Sequence, residues 1–129
     1  MLNLFNKHDL VNDVMLLALI MARESIGEFE QLVLLAILRL ERSAYGVRIS
    51  EELSRHTARP ILRPSIYIAL RRLEEKGLIR SRLGDPEPRR GGRARRYFEL
   101  EPSAIELLQD TRRTLVSLWD GISATLDQS

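Results

Sequence analysis

The sequence contains no cysteine, which excludes disulfide bonds, thiolate metal sites and a cysteine nucleophile. Its only two histidines, His8 and His56, do not lie at metal-ligand spacing from one another. Glycine-rich loops of the kinds that bind nucleotide phosphates are also missing. The adjacent acids Glu51-Glu52 and Glu74-Glu75 point to different faces of a helix, so we expect them to be solvated rather than to work as acid/base pairs. The sequence therefore predicts a protein that is not an enzyme and that holds no metal or cofactor.

Long apolar runs are absent as well. The longest, Val14 to Ala22, has nine residues, whereas about 20 are needed to cross a bilayer. A signal peptide would have a basic start, but here Lys7 is followed by Asp9 and Asp13. We therefore expect no membrane segment and a cytoplasmic location. For residues 1–25 two interpretations stay open, an extra helix that packs on the body or across a dimer, and a poorly ordered leader. We favour the helix, since nine exposed apolar residues would promote aggregation.

Positive charge is concentrated in one part of the chain. The 129 residues carry a net charge of only +2, and this length suits one domain with a modest core that oligomerisation would support. Residues 55–96, however, contain thirteen Lys or Arg against four acids, a local net charge of +9. Such a segment in a near-neutral protein is typical of a surface that binds a polyanion.

A short helix with a clear start and end lies inside this basic segment. Pro64 suits the first helical position, and Gly77 suits the position just past the last turn. Between them, Ile66, Ala69, Leu70 and Leu73 recur at helical spacing and predict a core-facing side. The other side carries the candidate DNA contacts of a recognition helix: Arg63, Ser65, Tyr67, Arg71 and Arg72. Hydroxyl and guanidinium groups are suited to phosphates and base edges, although exposed arginines are often simply solvated.

Two strand-like stretches follow this helix and predict a β-hairpin. They are residues 78–83 and 97–100, and the loop between them is rich in Pro, Gly and Arg. We expect the tip of the hairpin to present five further candidate DNA contacts: Arg89, Arg90, Arg93, Arg95 and Arg96. A recognition helix followed by a basic hairpin is the outline of a winged helix-turn-helix.

The segments before the recognition helix complete this motif. Residues 28–40 are apolar nearly all round, which predicts a fully buried central helix. Residues 47–56 predict the helix that crosses the DNA backbone ahead of the recognition helix. Residues 58–62 are expected to form the connecting turn and a short first strand of the wing sheet.

The C-terminal segment predicts a dimerisation helix that begins at Pro102. Its apolar stripe, which continues to Leu126 over three heptads, contains Ile105, Leu108, Leu115, Leu118, Trp119 and Ile122. Such a stripe requires a partner, and the same helix of a second subunit is expected, since most oligomers are two-fold dimers. Trp119 either packs in this interface or lines a pocket between subunits for an aromatic effector.

Several separated motifs resemble the PadR family of bacterial transcriptional regulators. They are Gly27-Glu-Phe-Glu30, Ala44-Tyr-Gly-Val47, Ile66-Tyr67, Leu70-Arg-Arg-Leu-Glu74, Lys76-Gly-Leu-Ile79 and Gly91-Gly-Arg-Ala-Arg-Arg-Tyr-Phe98. The resemblance runs from about Ile26 to Ile122, and the extension before it is longer than in the family. It implies a homodimeric winged-helix repressor that contacts DNA through Tyr67 and the basic wing and dimerises through the C-terminal helix.

The predicted fold is mostly α (α+β). An N-terminal extension (1–25) precedes a winged helix-turn-helix domain (26–100) and a C-terminal dimerisation helix (101–129). The predicted function is sequence-specific DNA binding by a homodimer that represses transcription at a palindromic operator and responds to a small aromatic effector. The alternative is a winged-helix module that binds another protein and has no specific DNA target.

Overall fold

The computed structural model describes residues 7–24, 26–84, 94–122 and 126, and within 7–24 it describes the side-chain exposure of residues 9–17. It confirms a mostly helical fold with a small antiparallel sheet. The elements in chain order are α1 (Lys7–Glu24), α2 (Glu28–Leu40), α3 (Gly46–His56), α4 (Arg63–Glu75), β1 (Ile79–Leu83), β2 (Arg96–Leu100) and α5 (Pro102–Trp119), with a 3-10 turn at Glu41–Ser43. No helix in the described ranges is long and apolar enough to cross a membrane.

Helices α2, α3 and α4 pack around one hydrophobic core, which the β-hairpin and the start of α5 extend. Its largest fully buried side chains are Val33, Leu34, Ile37, Ile49, Ile66 and Leu73. The four apolar residues predicted for the inner side of α4 are all buried, so the side that carries the candidate DNA contacts faces solvent.

The end of α4 is fixed by a glycine in the left-handed conformation. Gly77 has φ of +73°, and its N–H donates to the Glu74 carbonyl at 3.0 Å. The N–H of Leu78 donates to the Leu73 carbonyl at 3.0 Å, and the side chains of both residues are buried. These two bonds and the apolar contact form a Schellman motif, as the position of Gly77 predicts. The chain therefore leaves α4 in a defined direction and enters β1.

The wing is an antiparallel hairpin in which Ile79 pairs with Leu100 and Leu83 pairs with Arg96. Its sheet is extended by the residues before α3: Tyr45 forms a β-bridge to Tyr97, and the N–H of Phe98 donates to the Ala44 carbonyl at 2.8 Å. The prediction of a first wing strand at residues 58–62 is therefore wrong, because these residues contain no strand. The extended segment comes from the α2–α3 connection instead.

Two further expectations need correction. Helix α2 is not buried all round, since Leu35 and Leu38 are 44% and 48% exposed. Helix α5 ends at Trp119 rather than continuing to Leu126, because Gly121 has φ of +80° in the following turn. Ile122, which the apolar stripe predicts on α5, therefore lies beyond the end of that helix. In α1 the described side chains are all exposed, so they do not pack on the body of their own chain.

Candidate nucleic-acid interface

The outer face of α4 is exposed along its whole length and carries Ile68 and Glu75 beside the five predicted contacts, which are Arg63, Ser65, Tyr67, Arg71 and Arg72. Pro64 in the first turn presets a helical φ and lacks only an N–H that would have no partner in the helix. Three of the arginines, Arg63, Arg71 and Arg72, form no salt bridge within the described residues. Their guanidinium groups therefore remain available for an external anion.

Tyr67 lies close against the start of α3. A Cβ atom placed on Gly46 would lie 2.6 Å from the Tyr67 hydroxyl oxygen and 2.8 Å from the nearest ring carbons. Only glycine leaves room for the ring here, because atoms at these distances would overlap. The backbone at the first turn of α3 thus locates the ring and hydroxyl group of the recognition-helix tyrosine.

A cleft of about 580 Å³, here called the α3–wing cleft, joins three elements at this point. Its lining residues come from the start of α3, from α4 and from the base of the wing: Tyr45, Gly46, Val47, Tyr67, Ala94, Arg95, Arg96 and Phe98. It brings Tyr67 together with Arg95 and Arg96, three of the residues predicted to contact DNA. One helical residue and two wing residues can therefore act on a single bound group.

Two tyrosines packed between two arginines join the wing to the segment before α3. The Arg95 guanidinium lies 4.2 Å from the centroid of the Tyr45 ring, and that ring meets the Tyr97 ring edge-to-face at 5.7 Å. The Arg82 guanidinium lies 4.7 Å from the Tyr97 centroid. Cation–π and aromatic contacts of this kind contribute about 0.5–2 kcal/mol each. This stack, for which the sequence carries no local signal, holds Arg95 beside the start of α3.

Arg95 and Arg96 lie at the base of the hairpin and not at its tip, which corrects the prediction. Gly84 donates its N–H to the Arg95 carbonyl at 2.7 Å, and Arg96 is the first residue of β2. The Arg95 Nε atom is buried and has no hydrogen-bond partner within the described residues. The other three predicted wing contacts, Arg89, Arg90 and Arg93, lie outside the described residues.

The arginines of β1 are already paired within the protein. Arg80 donates to Glu99 at 2.8 Å and also pairs with Glu101 at 3.2 Å, while Arg82 approaches Glu99 at 3.4 Å. Hydrogen bonds from Arg82 and then from Arg80 hold the pKa of Glu99 below its ordinary value. Positive charge on the wing strands is thus partly neutralised, whereas the outer face of α4 keeps its charge.

Two buried carboxylates form salt bridges that connect the helices behind this surface. Glu52 of α3 binds Arg39 at 2.8 Å, His56 at 3.1 Å and Arg55 at 3.4 Å. The prediction that Glu52 is solvated is therefore wrong. Its spacing from the buried Ile49 and Leu53 is the i, i+3, i+4 signal that places it on the inner side of α3. Likewise, Glu30 of α2 binds Lys76 at the end of α4 at 2.7 Å.

A second, more apolar depression lies away from this surface. This α2–α5 groove has a volume of about 760 Å³, and its apolar lining residues are Leu35, Leu38, Ile105, Leu108, Leu115, Val116 and Trp119. The exposed leucines of α2 and the apolar stripe of α5 therefore form one continuous surface.

Comparison with known proteins assigns the fold to a family. A sequence model described as the Transcriptional regulator PadR-like family matches residues 34–108, more than half of the chain. The chain belongs to this family. The match covers α3, the recognition helix α4, the wing and the start of α5. No protein of curated function shows significant similarity to the sequence.

Solved structures of PadR proteins share the fold. A PadR family transcriptional regulator from Eggerthella lenta DSM 2243 is 25% identical, with a TM-score of 0.60 over 92% of this chain and 97% of the relative. A PadR-like transcriptional regulator from Bacillus cereus strain ATCC 14579 is also 25% identical, with a TM-score of 0.58 over 78% of this chain and 88% of the relative. A PadR family transcription regulator from Clostridium difficile R20291 is 22% identical, with a TM-score of 0.58 over 78% and 96% of the two chains.

Membership of the PadR-like family settles the broad function. The protein is a DNA-binding transcriptional regulator and not an enzyme. This confirms the resemblance seen in the sequence motifs and favours DNA binding over the alternative of a protein-interaction module.

Proposed function

We propose that this PadR-like protein is a homodimeric repressor that binds a palindromic operator through α4 and the wing of each subunit. The observation that carries the proposal is the α3–wing cleft, which Tyr67 of the recognition helix lines together with Arg95 and Arg96 of the wing base. Helix α4 enters the major groove, and the cleft receives the adjoining phosphate backbone. Residue types that donate to phosphate are thereby concentrated on one side of the molecule.

The five predicted contacts of α4 divide between base and phosphate in this proposal. Arg71 lies in the middle of the outer face and reads a guanine through two hydrogen bonds. Tyr67 and Ser65 donate hydroxyl hydrogen bonds to phosphate, and Arg63 and Arg72 contact the backbone on either side. In the wing, Arg95 and Arg96 bind the flanking backbone or minor groove together with Arg89, Arg90 and Arg93.

The homodimer is supported by the outer surface of α5. Leu115, Leu118 and Trp119 are 49%, 68% and 49% exposed on one helix, more apolar surface than a stable monomer ordinarily leaves in water. Packing against the same helix of a second subunit buries it and relates two recognition helices by a two-fold axis. Ile122 lies at the C-terminal end of this seam and Ile105 at its edge, while Leu108 packs inward on the core.

A small aromatic effector fits the α2–α5 groove. Its volume of about 760 Å³ lies within the range of ligand pockets, and Trp119 supplies a flat aromatic surface. Binding there changes the packing between α5 and its partner and so the spacing of the two α4 helices. Trp119 is the only tryptophan of the chain, so quenching of its fluorescence reports a phenolic ligand directly.

Selection of bound DNA from a random duplex pool tests the repressor model. The enriched sequences are expected to be palindromic, with half-sites separated by about 10 bp or a multiple. Arg71→Ala should relax selection at one position of each half-site, at a cost of about 1–3 kcal/mol. Arg113→Ala, which changes an arginine on α5, is the control and should leave the selected sequence unaltered. Enrichment of a single asymmetric half-site, or of no sequence, contradicts the proposal.

A further inference from the structure

Helix α1 presents an apolar surface that its own chain leaves uncovered. Six described side chains of this helix are 56–60% exposed: Leu10, Val11, Val14, Met15, Leu16 and Leu17. Exposure of this many large apolar groups along one helix marks an interaction surface, since soluble monomers rarely expose continuous apolar patches of this kind.

Helix α5 exposes more apolar surface than one partner helix can cover. At about 100° per residue, its exposed apolar side chains span about 160° of the helix circumference. One flank carries Leu115, Leu118 and Trp119, which the proposed α5–α5 seam covers. The other flank carries Ile105 and Val116, which are 39% and 62% exposed; like Leu115 and Trp119, they line the α2–α5 groove. This second flank requires another helix.

The charged residues of α1 and α5 indicate that α1 is the helix that packs on this second flank of α5. Arg112 lies between Ile105 and Val116 along the helix, at the edge where the second flank meets the first. It lines the groove and forms no salt bridge within the described ranges. On α1, Asp9 and Asp13 lie one turn apart beside the apolar residues, and neither carboxylate is paired within the described residues. The lengths agree as well, because α1 and α5 each have 18 residues, or about 27 Å.

We propose that α1 of each subunit packs against the second flank of α5 in the partner subunit, with Asp9 and Asp13 facing Arg112. The proposal rests on the homodimer of the proposed function. A contact between subunits is favoured because the described side chains of α1 are exposed within their own chain, and because only residues 25–27 connect α1 to α2. When each subunit places its α1 on the α5 helix of the other, the second flank of both α5 helices is covered. Such a reciprocal contact is what a two-fold axis requires. The acids at the start of α1 disfavour an anionic lipid surface as its partner.

Charge reversal, followed by mixing of two variant chains, tests this contact. One chain carries Asp9→Arg and Asp13→Arg, and the other carries Arg112→Asp. Each variant alone places like charges at both contacts, so the dimer dissociation constant measured by sedimentation at low salt should rise by roughly tenfold. In a heterodimer of the two variants every contact again joins opposite charges, so an equimolar mixture should recover wild-type affinity within about threefold.

Controls distinguish the proposed contact of α1 with the partner subunit from the proposed homodimer as such. Asn12→Arg adds positive charge to α1 to one side of the row that Asp9 and Asp13 form along the helix and should leave the dissociation constant unchanged. Rescue that occurs only when all three reversals are in one chain, and not on mixing, shows an internal contact and overturns the exchange. Unchanged dimer affinity in both reversed chains likewise overturns it while leaving the α5 seam intact. A wild-type protein that sediments as a monomer contradicts the proposed homodimer, and the exchange with it.

Discussion

Among single residues, Tyr45 links the helices to the wing without being a predicted DNA contact. Its ring lies under the Arg95 guanidinium and against the Tyr97 ring. An arginine side chain that is free in solution loses conformational entropy when it binds a phosphate. Stacking on the Tyr45 ring already orders the Arg95 side chain, so less entropy is lost on binding. Tyr45 is therefore a positioning residue that acts through Arg95.

Tyr45→Leu should weaken DNA binding by about three- to tenfold for specific and scrambled sequences alike. The slope of log K against log salt should fall by about one contact, because Arg95 is no longer held at the backbone. Fluorescence anisotropy with labelled duplexes at several salt concentrations measures both quantities. Tyr45→Phe keeps the ring and should bind as the wild type does; a loss in this control as large as that of Tyr45→Leu would refute the stacking role.

Glu52 shows a different effect at the residue scale, one on stability. The hydrogen bond from Arg39 is the main cause that lowers its pKa below the ordinary value of 4.5. Because the folded state holds the carboxylate in its charged form, the stabilisation is present above about pH 4.5 and is lost as the pH falls through the lowered pKa.

Glu52→Gln should therefore lower the free energy of unfolding at pH 7 and flatten its pH dependence below about 4.5. Urea unfolding at pH 7 and at pH 3 measures the change. The exposed neighbour provides a matched control, since Glu51→Gln should preserve the wild-type pH dependence. Equal pH dependence in the wild type and in Glu52→Gln would exclude the buried network as its source.

At the scale of elements, the boundaries of α4 could be predicted while the make-up of the wing sheet could not. Pro64 and Gly77 act locally through backbone conformation, so the sequence alone indicates where the helix begins and ends. The pairing of Tyr45 with Tyr97 joins residues far apart in the chain, and no local pattern near Tyr45 indicates a strand. A non-local contact therefore determined which segment extends the sheet.

Two further differences between the predicted and the observed elements also arise from contacts that are not local in the sequence. The apolar pattern of α2 predicted burial all round, but periodicity does not say which neighbour covers each side, and Leu35 and Leu38 remain exposed beside α5. The Arg-rich loop composition continues through Arg95 and Arg96 and so predicts them at the wing tip, whereas the register extends β2 to Arg96. The identities of the site residues were visible in the sequence, but their arrangement around one cleft was not.

The close contact between Gly46 of α3 and Tyr67 of α4 predicts the effect of a substitution on DNA binding. Gly46→Ala should displace Tyr67, because the added methyl group would lie 2.6 Å from its hydroxyl oxygen. DNA affinity should fall by roughly fivefold or more, comparable to the loss of one hydrogen bond to a charged group. In a Tyr67→Ala background the same substitution should have no further effect, and this double-mutant cycle separates displacement of the ring from a change in α3 itself. Additive losses would contradict the direct contact.

At the scale of the whole molecule, the proposed DNA-binding surface and the apolar surface of α5 belong to different parts of the chain. The cleft is formed by α3, α4 and the wing, whereas the α2–α5 groove is formed by α5 and the far side of α2. Helix α2 connects them, because Glu30 near its start binds Lys76 at the end of α4. A change in the packing of α5 can therefore reach the recognition helix through α2.

Leu118→Asp should break the proposed homodimer without unfolding the subunit, since Leu118 is 68% exposed in the single chain. We expect the dimer dissociation constant to rise by about 100-fold or more, and DNA affinity to fall in parallel because two linked half-site contacts become independent. Sedimentation and gel-shift titration measure the two effects. Ser117→Asp on the adjacent exposed face is the control, and equal losses in both variants would exclude a specific seam.

The central claim, sequence-specific DNA binding, is tested most directly by a gel shift. The purified wild-type protein is titrated against its own upstream DNA with a scrambled competitor at two salt concentrations. We predict a discrete complex that survives the competitor and weakens as salt rises, since several phosphates are neutralised. A complex that the competitor abolishes, or no complex at either salt concentration, would contradict the claim that the outer face of α4 reads a DNA sequence.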